Sequence, residues 1–338
     1  MTVPDAQYGS DEFGLVWGYA FTSETPAVAI DTDHALLWLQ SRKPESKDFL
    51  WLHFSLSNAS VLTWLKANLE LPEIFFESLH ESIGSTRLEL DENGLVAVIH
   101  DVPYDRSYDP SAVSTVTLCI QPHIVVSARL RPLRSLDQLR TMVKAGEIFR
   151  SSTELLSQLL RVQADVLVGI VRQHAAFVDT IEDHILSDHI VKQRSELSKS
   201  RRSLIRLQRL LAPEPAALFR LLNRPPKWME EEDVLDLGKS AEEFSVAIAE
   251  GASLVERAKL LQEELMSYSN EKTNQILFIL TLVTVFALPF TIVSGLFGMN
   301  VGGIPFAEHG AGFWFITIFL VVSTGVGAVV TFKKFKEK

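Results

Sequence analysis

The stretch LPFTIVSGLFGMN, from Leu288 to Asn300, overlaps an apolar run, Ile276 to Phe297, that contains no Asp, Glu, Lys or Arg. A second charge-free run extends from Gly310 to Phe332. At about 1.5 Å per residue, helices over 276–297 and 313–332 would be roughly 33 and 30 Å long, close to the ~30 Å hydrocarbon core of a bilayer. One such run could be a buried core helix, but two near the same end of a chain favour two transmembrane helices.

The positive charges around these runs predict the topology. Lys272 precedes the first run, and the loop 298–312 contains no Lys or Arg. The basic tail 333–338 follows the second run and contains Lys333, Lys334, Lys336 and Lys338. By the positive-inside rule, both termini lie in the cytoplasm and the loop lies outside. We therefore expect a multi-pass protein of the inner (plasma) membrane.

The start of the chain and its cysteine content agree with this topology. The first residues, MTVPDAQYGSDEF, are acidic and contain no apolar run, so they predict no cleavable targeting sequence. The single cysteine, Cys119, cannot form an internal disulfide, which fits a reducing compartment.

Residues 1–133 have the pattern of an α/β domain. Short β-branched or aromatic runs, bounded by Gly, Pro, Asp and Asn, predict strands. The predicted strands are 14–21, 36–40, 50–54, 86–90, 95–100, 116–120 and 124–129. Ser57 or Asn58 is a candidate cap for a helix that carries Val61 and Trp64. A sheet with helices packed on it is the expected result.

The pattern changes to long helices after residue 133. A cytoplasmic helical region is predicted over 134–229, with breaks at Pro213 and at Pro225 and Pro226. After Trp228 no proline appears until Pro289, so a stalk helix over 230–275 is expected to continue into the first span. Such a helix of about 65 residues would be nearly 100 Å long. Leu254, Ala258 and their helical neighbours form an apolar side that is expected to pack on the soluble domain.

Small and polar side chains follow one face of this helix into the span. Steps of three and four residues give Asn274, Leu277, Thr281, Thr284, Leu288, Thr291 and Gly295. The face is either packing between helices or a surface that contacts water. Two spans cannot enclose water, but a ring of copies can. Pro289 leaves the Val285 carbonyl without its helical donor. This proline either only kinks the helix for packing, or it frees the Val285 oxygen to bind a hydrated cation.

Other candidate metal ligands lie outside the spans. Glu308 and His309 are the external residues with suitable chemistry, although a solvated loop pair is the alternative. His184 and Asp188 are one helical turn apart and suit a cytoplasmic regulatory metal site, or else belong to an exposed charged helix. The first span has no Cys, His or carboxylate, so Zn²⁺ would cross largely hydrated or be recognised elsewhere. Walker-type, GxSxG, HExxH and paired-Cys motifs are absent from the sequence, so we expect no enzyme and no cofactor.

The sequence from Leu288 to Asn300 resembles the signature of the CorA family of divalent metal-ion transporters. In that family a Gly-Met-Asn triplet follows an apolar span with a Pro and a Thr upstream, as Pro289 and Thr291 stand here. Phe297 replaces the tyrosine that frequently precedes the triplet. The continuation VGGIP, residues 301–305, is similar to the ZntB branch, which is associated with zinc.

The resemblance implies a funnel-shaped homopentamer with an α/β cytoplasmic domain, a long stalk helix and two transmembrane helices. The first spans would line the pore, with the polar face inward, and Gly298, Met299 and Asn300 would form the selectivity filter. The expected partners are other copies of the chain, the lipid bilayer and divalent cations, with protons as a further candidate and no nucleic acid. Zn²⁺ uptake is the expected function, and transport of Mg²⁺, Co²⁺ or Ni²⁺ is the alternative. A non-conducting sensor or scaffold anchored in the membrane is the alternative from another class.

Overall fold

A computed structural model of the chain describes residues 10–42, 46–80, 86–91, 94–103, 114–183, 190–299, 302–303 and 310–336. The chain divides into two compact units, Met1–Gln262 and Glu263–Lys338.

In the described part of the first unit, seven strands form one mixed sheet. They are β1 (Leu15–Phe21), β2 (Val28–Ile30), β3 (Phe49–Ser55), β4 (Arg87–Asp91), β5 (Gly94–Asp101), β6 (Ser114–Gln121) and β7 (Ile124–Arg129). Their order across the sheet is β2-β1-β3-β7-β6-β5-β4. β3 and β7 pair in parallel, and the other neighbours are antiparallel.

Helices cover both faces of this sheet, because alternate residues of a strand point to opposite sides. In β3, Leu50 and Leu52 pack against α1 (Thr32–Ser41), α2 (Val61–Asn68) and α3 (Glu73–His80). Phe49 and Trp51 belong to the second core, to which helices on the other face contribute. The α/β architecture predicted from the sequence is confirmed.

The run 36–40, predicted as a strand, is helical and belongs to α1. The prediction was wrong because Asp31 caps this segment: its Oδ1 accepts a hydrogen bond from the His34 N–H at 2.9 Å. The short strand β2 and helix α3 were not predicted. Asn58 accepts from the Ser60 N–H just before α2, so it organises the entry to that helix.

The remaining elements in the described part of the chain are helices. They are α4 (Arg134–Lys144), α5 (Ser152–Asp183), α6 (Ile190–Leu211), α7 (Pro213–Leu222), α8 (Glu231–Phe297) and α9 (Gly312–Lys336), of which α5, α6, α8 and α9 are long. The predicted break at Pro213 is a one-residue interruption: Ala212 still donates to the Gln208 carbonyl at 2.8 Å. Proline fits here because the first residues of a helix need no N–H donor.

The long helix α8 is confirmed and has 67 residues. In the first unit its predicted apolar side is buried, with Leu254 6% exposed and Ala258 fully buried. The boundary between the two units falls inside α8, after Gln262.

Candidate functional site

The last third of α8 is long and apolar enough to cross a membrane. In α9 the apolar stretch Gly312–Gly327 is shorter. Within the single chain, most residues of the apolar part of α8 are exposed, for example Leu277 at 54% and Leu280 at 61%, and the half-buried residues lie on one side. Exposure does not distinguish among the remaining faces, so the chemistry of the side chains has to do so.

Three threonines on the polar face donate their hydroxyl protons back to the helix. Thr281 donates to the Leu277 carbonyl at 2.8 Å, and Thr284 donates to the Leu280 carbonyl at 2.9 Å. Thr291 donates to the Ala287 carbonyl at 3.0 Å. Because each proton is used inside the helix, the hydroxyl oxygen presents lone pairs to its surroundings. Lone pairs accept hydrogen bonds from the water shell of a cation.

A different face of α8 contacts α9. Phe278, Leu282, Phe286, Phe290 and Val293 are half-buried and recur every four or three residues. The Phe286 ring lies 3.2 Å from the position that a Cβ would occupy on Gly327 of α9. At about 100° per residue, Thr284 and Leu288 lie roughly 160° around the helix from Phe286. The threonine face is therefore turned away from α9.

The other residues of the predicted face also lie on α8. Asn274, Leu288 and Gly295 are exposed. Pro289 is inside the helix, where its missing N–H leaves the Val285 carbonyl without a donor four residues later. The face thus offers neutral oxygen acceptors and small side chains.

The chain turns at the end of α8. The Gly298 N–H donates to the Ser294 carbonyl at 2.9 Å, and Met299 is 51% exposed. A Cβ at position 298 would lie 3.0 Å from the Ser294 oxygen, closer than most real Cβ contacts, which explains a glycine there. Asn300, Glu308 and His309 lie outside the described residues.

The predicted cytoplasmic metal ligands His184 and Asp188 also lie outside the described residues. Just before them, Asp179 pairs with Arg257 of α8 at 2.7 Å, and Glu182 pairs with the same guanidinium. In the described ranges no group of three or more His, Cys, Asp or Glu side chains is arranged to hold a metal ion.

Buried polar residues of the first unit gave no signal in the sequence. Asp101 accepts hydrogen bonds from the Ser135 N–H at 2.9 Å, the Ser135 hydroxyl at 2.7 Å and the Val102 N–H at 2.7 Å. Burial raises its pKa to about 6, more than these bonds lower it. Burial also raises the pKa of Glu214, which accepts from the Gln163 amide at 3.3 Å. A single Asp at a strand end resembles a turn residue, so only the fold reveals this cluster.

Comparison with known proteins gives consistent matches over most of the chain. Residues 46–334 match the family of CorA-like Mg²⁺ transporter proteins. The divalent cation transporter CmaX of Pseudomonas aeruginosa is 27% identical over 97% of this chain and 96% of its own length. The zinc transport protein ZntB of Yersinia enterocolitica is 24% identical over 80% of this chain and 83% of its own length.

Solved structures share the fold. The structure of full-length CmaX has a TM-score of 0.79 at 24% identity and covers 97% of this chain and 99% of that one. The CorA magnesium transporter from Methanocaldococcus jannaschii has a TM-score of 0.77 at 17% identity and covers 93% of this chain and 96% of its own. Both matches therefore include the α/β unit and the long helix.

Proposed function

Because this chain belongs to the family of CorA-like Mg²⁺ transporter proteins, a family of divalent-cation transporters, we propose that it takes up divalent metal ions through a pore lined by α8. The observation that carries this proposal is the threonine face of α8. Its hydroxyl oxygens are free to accept hydrogen bonds, and it is turned away from the contact with α9.

In the proposed assembly five copies of α8 surround the pore and the five α9 helices lie outside. Asn274, Leu277, Thr281, Thr284, Leu288, Thr291 and Gly295 face the ion path. Gly298, Met299 and Asn300 form the selectivity ring at the outer end. Both termini lie in the cytoplasm and each chain crosses the inner membrane twice. The lysine-rich tail after α9 and the loop without Lys or Arg support this topology.

The membrane potential drives the ion inward. Two charges moving through 100 mV gain about 4.6 kcal/mol, so uptake requires no ATP. The pore has to keep the cost of removing water low. Threonine hydroxyls, the Val285 carbonyl and the Asn300 amide are neutral acceptors that hold the hydrated ion without trapping it.

Zn²⁺ is the metal that we propose, with Mg²⁺, Co²⁺ or Ni²⁺ as the alternative. The VGGIP sequence and the relative named as a zinc transport protein support zinc. The relative at 27% identity is named only as a divalent cation transporter. The apolar part of α8 contains none of the ligands that bare Zn²⁺ prefers, so the ion passes with most of its water shell. Glu308 and His309 of each copy attract cations at the entrance.

The test is a competition assay in proteoliposomes. Full-length protein is reconstituted, and Zn²⁺ entry is followed with an internal fluorescent indicator while Mg²⁺, Co²⁺ or Ni²⁺ is added outside. We expect a tenfold excess of Mg²⁺ to leave Zn²⁺ entry unsuppressed. A tenfold excess offsets an affinity advantage of about 1.4 kcal/mol for Zn²⁺. Suppression by Mg²⁺ at equal concentration would assign the protein to the alternative metal. Absence of Zn²⁺ entry, together with absence of entry when each of the other three ions is assayed alone, would favour the anchored sensor.

A mass measurement in detergent tests the assembly separately. The proposal requires a homopentamer, and a monomer would be incompatible with a pore built from one α8 per chain.

A further inference from the structure

A glutamate at the start of α7 is buried in the first unit. Glu214 is only 1% exposed, and glutamate is almost never fully buried unless it has a partner. Among the described residues its single hydrogen bond comes from Gln163 of α5, whose Nε2 lies 3.3 Å from Glu214 Oε2. No Lys or Arg in the described part of the chain pairs with this carboxyl group. An ionised Glu214 would therefore be a buried charge with one long hydrogen bond.

The contact between Gln163 and Glu214 leaves two oxygens without donors. Gln163 Oε1 and Glu214 Oε1 are both buried, and neither accepts a hydrogen bond from a described residue. The orientation of the Gln163 amide is fixed, because its Nε2 also donates to the His100 carbonyl, which an oxygen could not do. Two acceptors cannot bond to each other. A proton on Glu214 turns one of its oxygens into a donor and removes the buried charge.

The second buried carboxyl group of this region has the opposite environment. Asp101 accepts from the Ser135 N–H, the Ser135 hydroxyl and the Val102 N–H, and these three bonds favour its ionised form. A negative charge on Asp101 disfavours a second one on Glu214. Burial raises the pKa of Glu214 well above its ordinary value and Asp101 raises it further, against a lowering by the Gln163 bond. Of the two groups, Asp101 carries the charge and Glu214 carries the proton.

The charged and titratable groups around α7 do not neutralise Glu214. On β4, Arg87 lies 3.9 Å from Glu89. On β5, His100 Nδ1 lies 2.9 Å from the Thr86 hydroxyl. The other elements that pack against α7 have charges that are exposed or paired at the surface: Arg209 of α6 is exposed, Lys239 of α8 lies 3.2 Å from Asp236, and Arg161 of α5 lies 3.5 Å from Glu243.

The start of α7 also gives little support to a negative charge. Its first and third residues, Pro213 and Pro215, have no N–H that could donate to a carboxylate. Ala212, just before them, already donates to the Gln208 carbonyl of α6 at 2.8 Å. The usual attraction between an acid and a helix N-terminus is therefore weak at Glu214.

We propose that Glu214 is a proton-binding site of the folded protein and that its proton, donated to Gln163 Oε1, holds α7 against α5. Loss of this proton places two negative charges in one buried cluster and leaves Gln163 Oε1 without a donor. The first turn of α7 then separates from α5. Since α7 is the segment between α6 and α8, the site makes their connection looser as the pH rises. This site does not depend on the proposed transport function.

Protonation is tested by infrared spectroscopy of the full-length protein in detergent. The C=O stretch of a carboxylic acid is separate from the bands of a carboxylate and shifts in D₂O. We expect the spectrum of the unmodified protein minus that of Glu214→Gln to show an acid band at about pH 7, the pH at which an ordinary glutamate is ionised. Glu242→Gln is the matched control: Glu242 is exposed on α8, so its difference spectrum should show carboxylate bands. Carboxylate bands in both difference spectra would overturn the proposal.

A second variant tests the site without changing Glu214. Asp101→Asn removes the neighbouring negative charge, so the acid band of Glu214 should disappear at a lower pH than in the unmodified protein. Disappearance at the same pH, or at a higher one, would contradict the coupling between the two carboxyl groups.

Release of α7 is tested by amide exchange, corrected for the intrinsic dependence of exchange on pH. As the acid band disappears with rising pH, residues 216–222 should come to exchange about tenfold faster in the unmodified protein than in Glu214→Gln, the factor that corresponds to one pKa unit. Glu214→Gln cannot ionise, so its corrected rates should not change with pH. Equal corrected rates in the two proteins, or an acid band that persists until the protein unfolds, would overturn the proposed release.

Discussion

Replacing Thr284 by valine removes one oxygen acceptor from the proposed ion path and little else. The Thr284 hydroxyl donates to the Leu280 carbonyl at 2.9 Å, and its lone pairs face outward from the helix. In Thr284→Val the Leu280 carbonyl keeps its helical partner, the N–H of residue 284. Valine has the same branched shape, so the helix is expected to lose only a few tenths of a kcal/mol.

The loss of ion stabilisation is larger. A hydrogen bond to a water of the ion's shell has a net value of about 1 kcal/mol, so removal of one such bond at the barrier slows passage about fivefold. In a ring every copy loses its hydroxyl at once. Fivefold is therefore the smallest reduction in Zn²⁺ flux that we expect.

Thr317→Val in α9 is the matched control. The Thr317 hydroxyl makes the same bond, to the Phe313 carbonyl at 2.9 Å, but lies on the helix that we place outside the pore. Initial Zn²⁺ flux into proteoliposomes, normalised to the amount of assembled protein, should fall in Thr284→Val and stay unchanged in Thr317→Val. Unchanged flux in both variants, or an equal reduction in both, would refute the proposed orientation of α8.

Two predictions concern the first unit, and both are measured by denaturant unfolding of the full-length protein. Since burial raises the pKa of Asp101 to about 6, from roughly 3.9 when unfolded, its ionisation lowers stability by about 3 kcal/mol at pH 7 but not at pH 4. The free energy of unfolding of Asp101→Asn, relative to that of the unmodified protein, should therefore rise by up to this amount from pH 4 to pH 7. The opposite trend would contradict the raised pKa. Ser127→Ala removes the buried partner of Trp51 Nε1 at 2.9 Å and His53 Nδ1 at 2.7 Å, which should cost about 2–4 kcal/mol. Ser157→Ala, whose buried hydroxyl has no partner among the described residues, should cost little, and equal losses would contradict this role of Ser127.

Local patterns in the sequence were sufficient for most of the fold. The β-branched runs predicted β5, β6 and β7, which are buried on both faces, because such strands read as continuous apolar segments. α8 was predictable because no proline interrupts it before Pro289. α1 was mistaken for a strand because its start depends on one capping bond from Asp31, which outweighs the apolar run Leu36–Gln40.

The candidate sites differ in how far sequence could predict them. The threonine face of α8 repeats every three or four residues on one helix, so spacing alone was enough to find it. The cavity lined by Lys47, His123, Thr153 and Trp228 was not predicted, because these residues are far apart in the chain and only the sheet and two helix starts bring them together. Likewise, the pKa of Asp101 depends on burial, which a single polar residue does not reveal.

The most direct test of transport through the GMN ring compares Zn²⁺ entry into proteoliposomes that contain the unmodified protein or Asn300→Ala. Both proteins are first shown to have the same mass in detergent, so that a loss of flux cannot come from a loss of assembly. We expect the unmodified protein to admit Zn²⁺ when the vesicle interior is negative and Asn300→Ala to admit none. Full Zn²⁺ entry through Asn300→Ala would contradict the role of this ring.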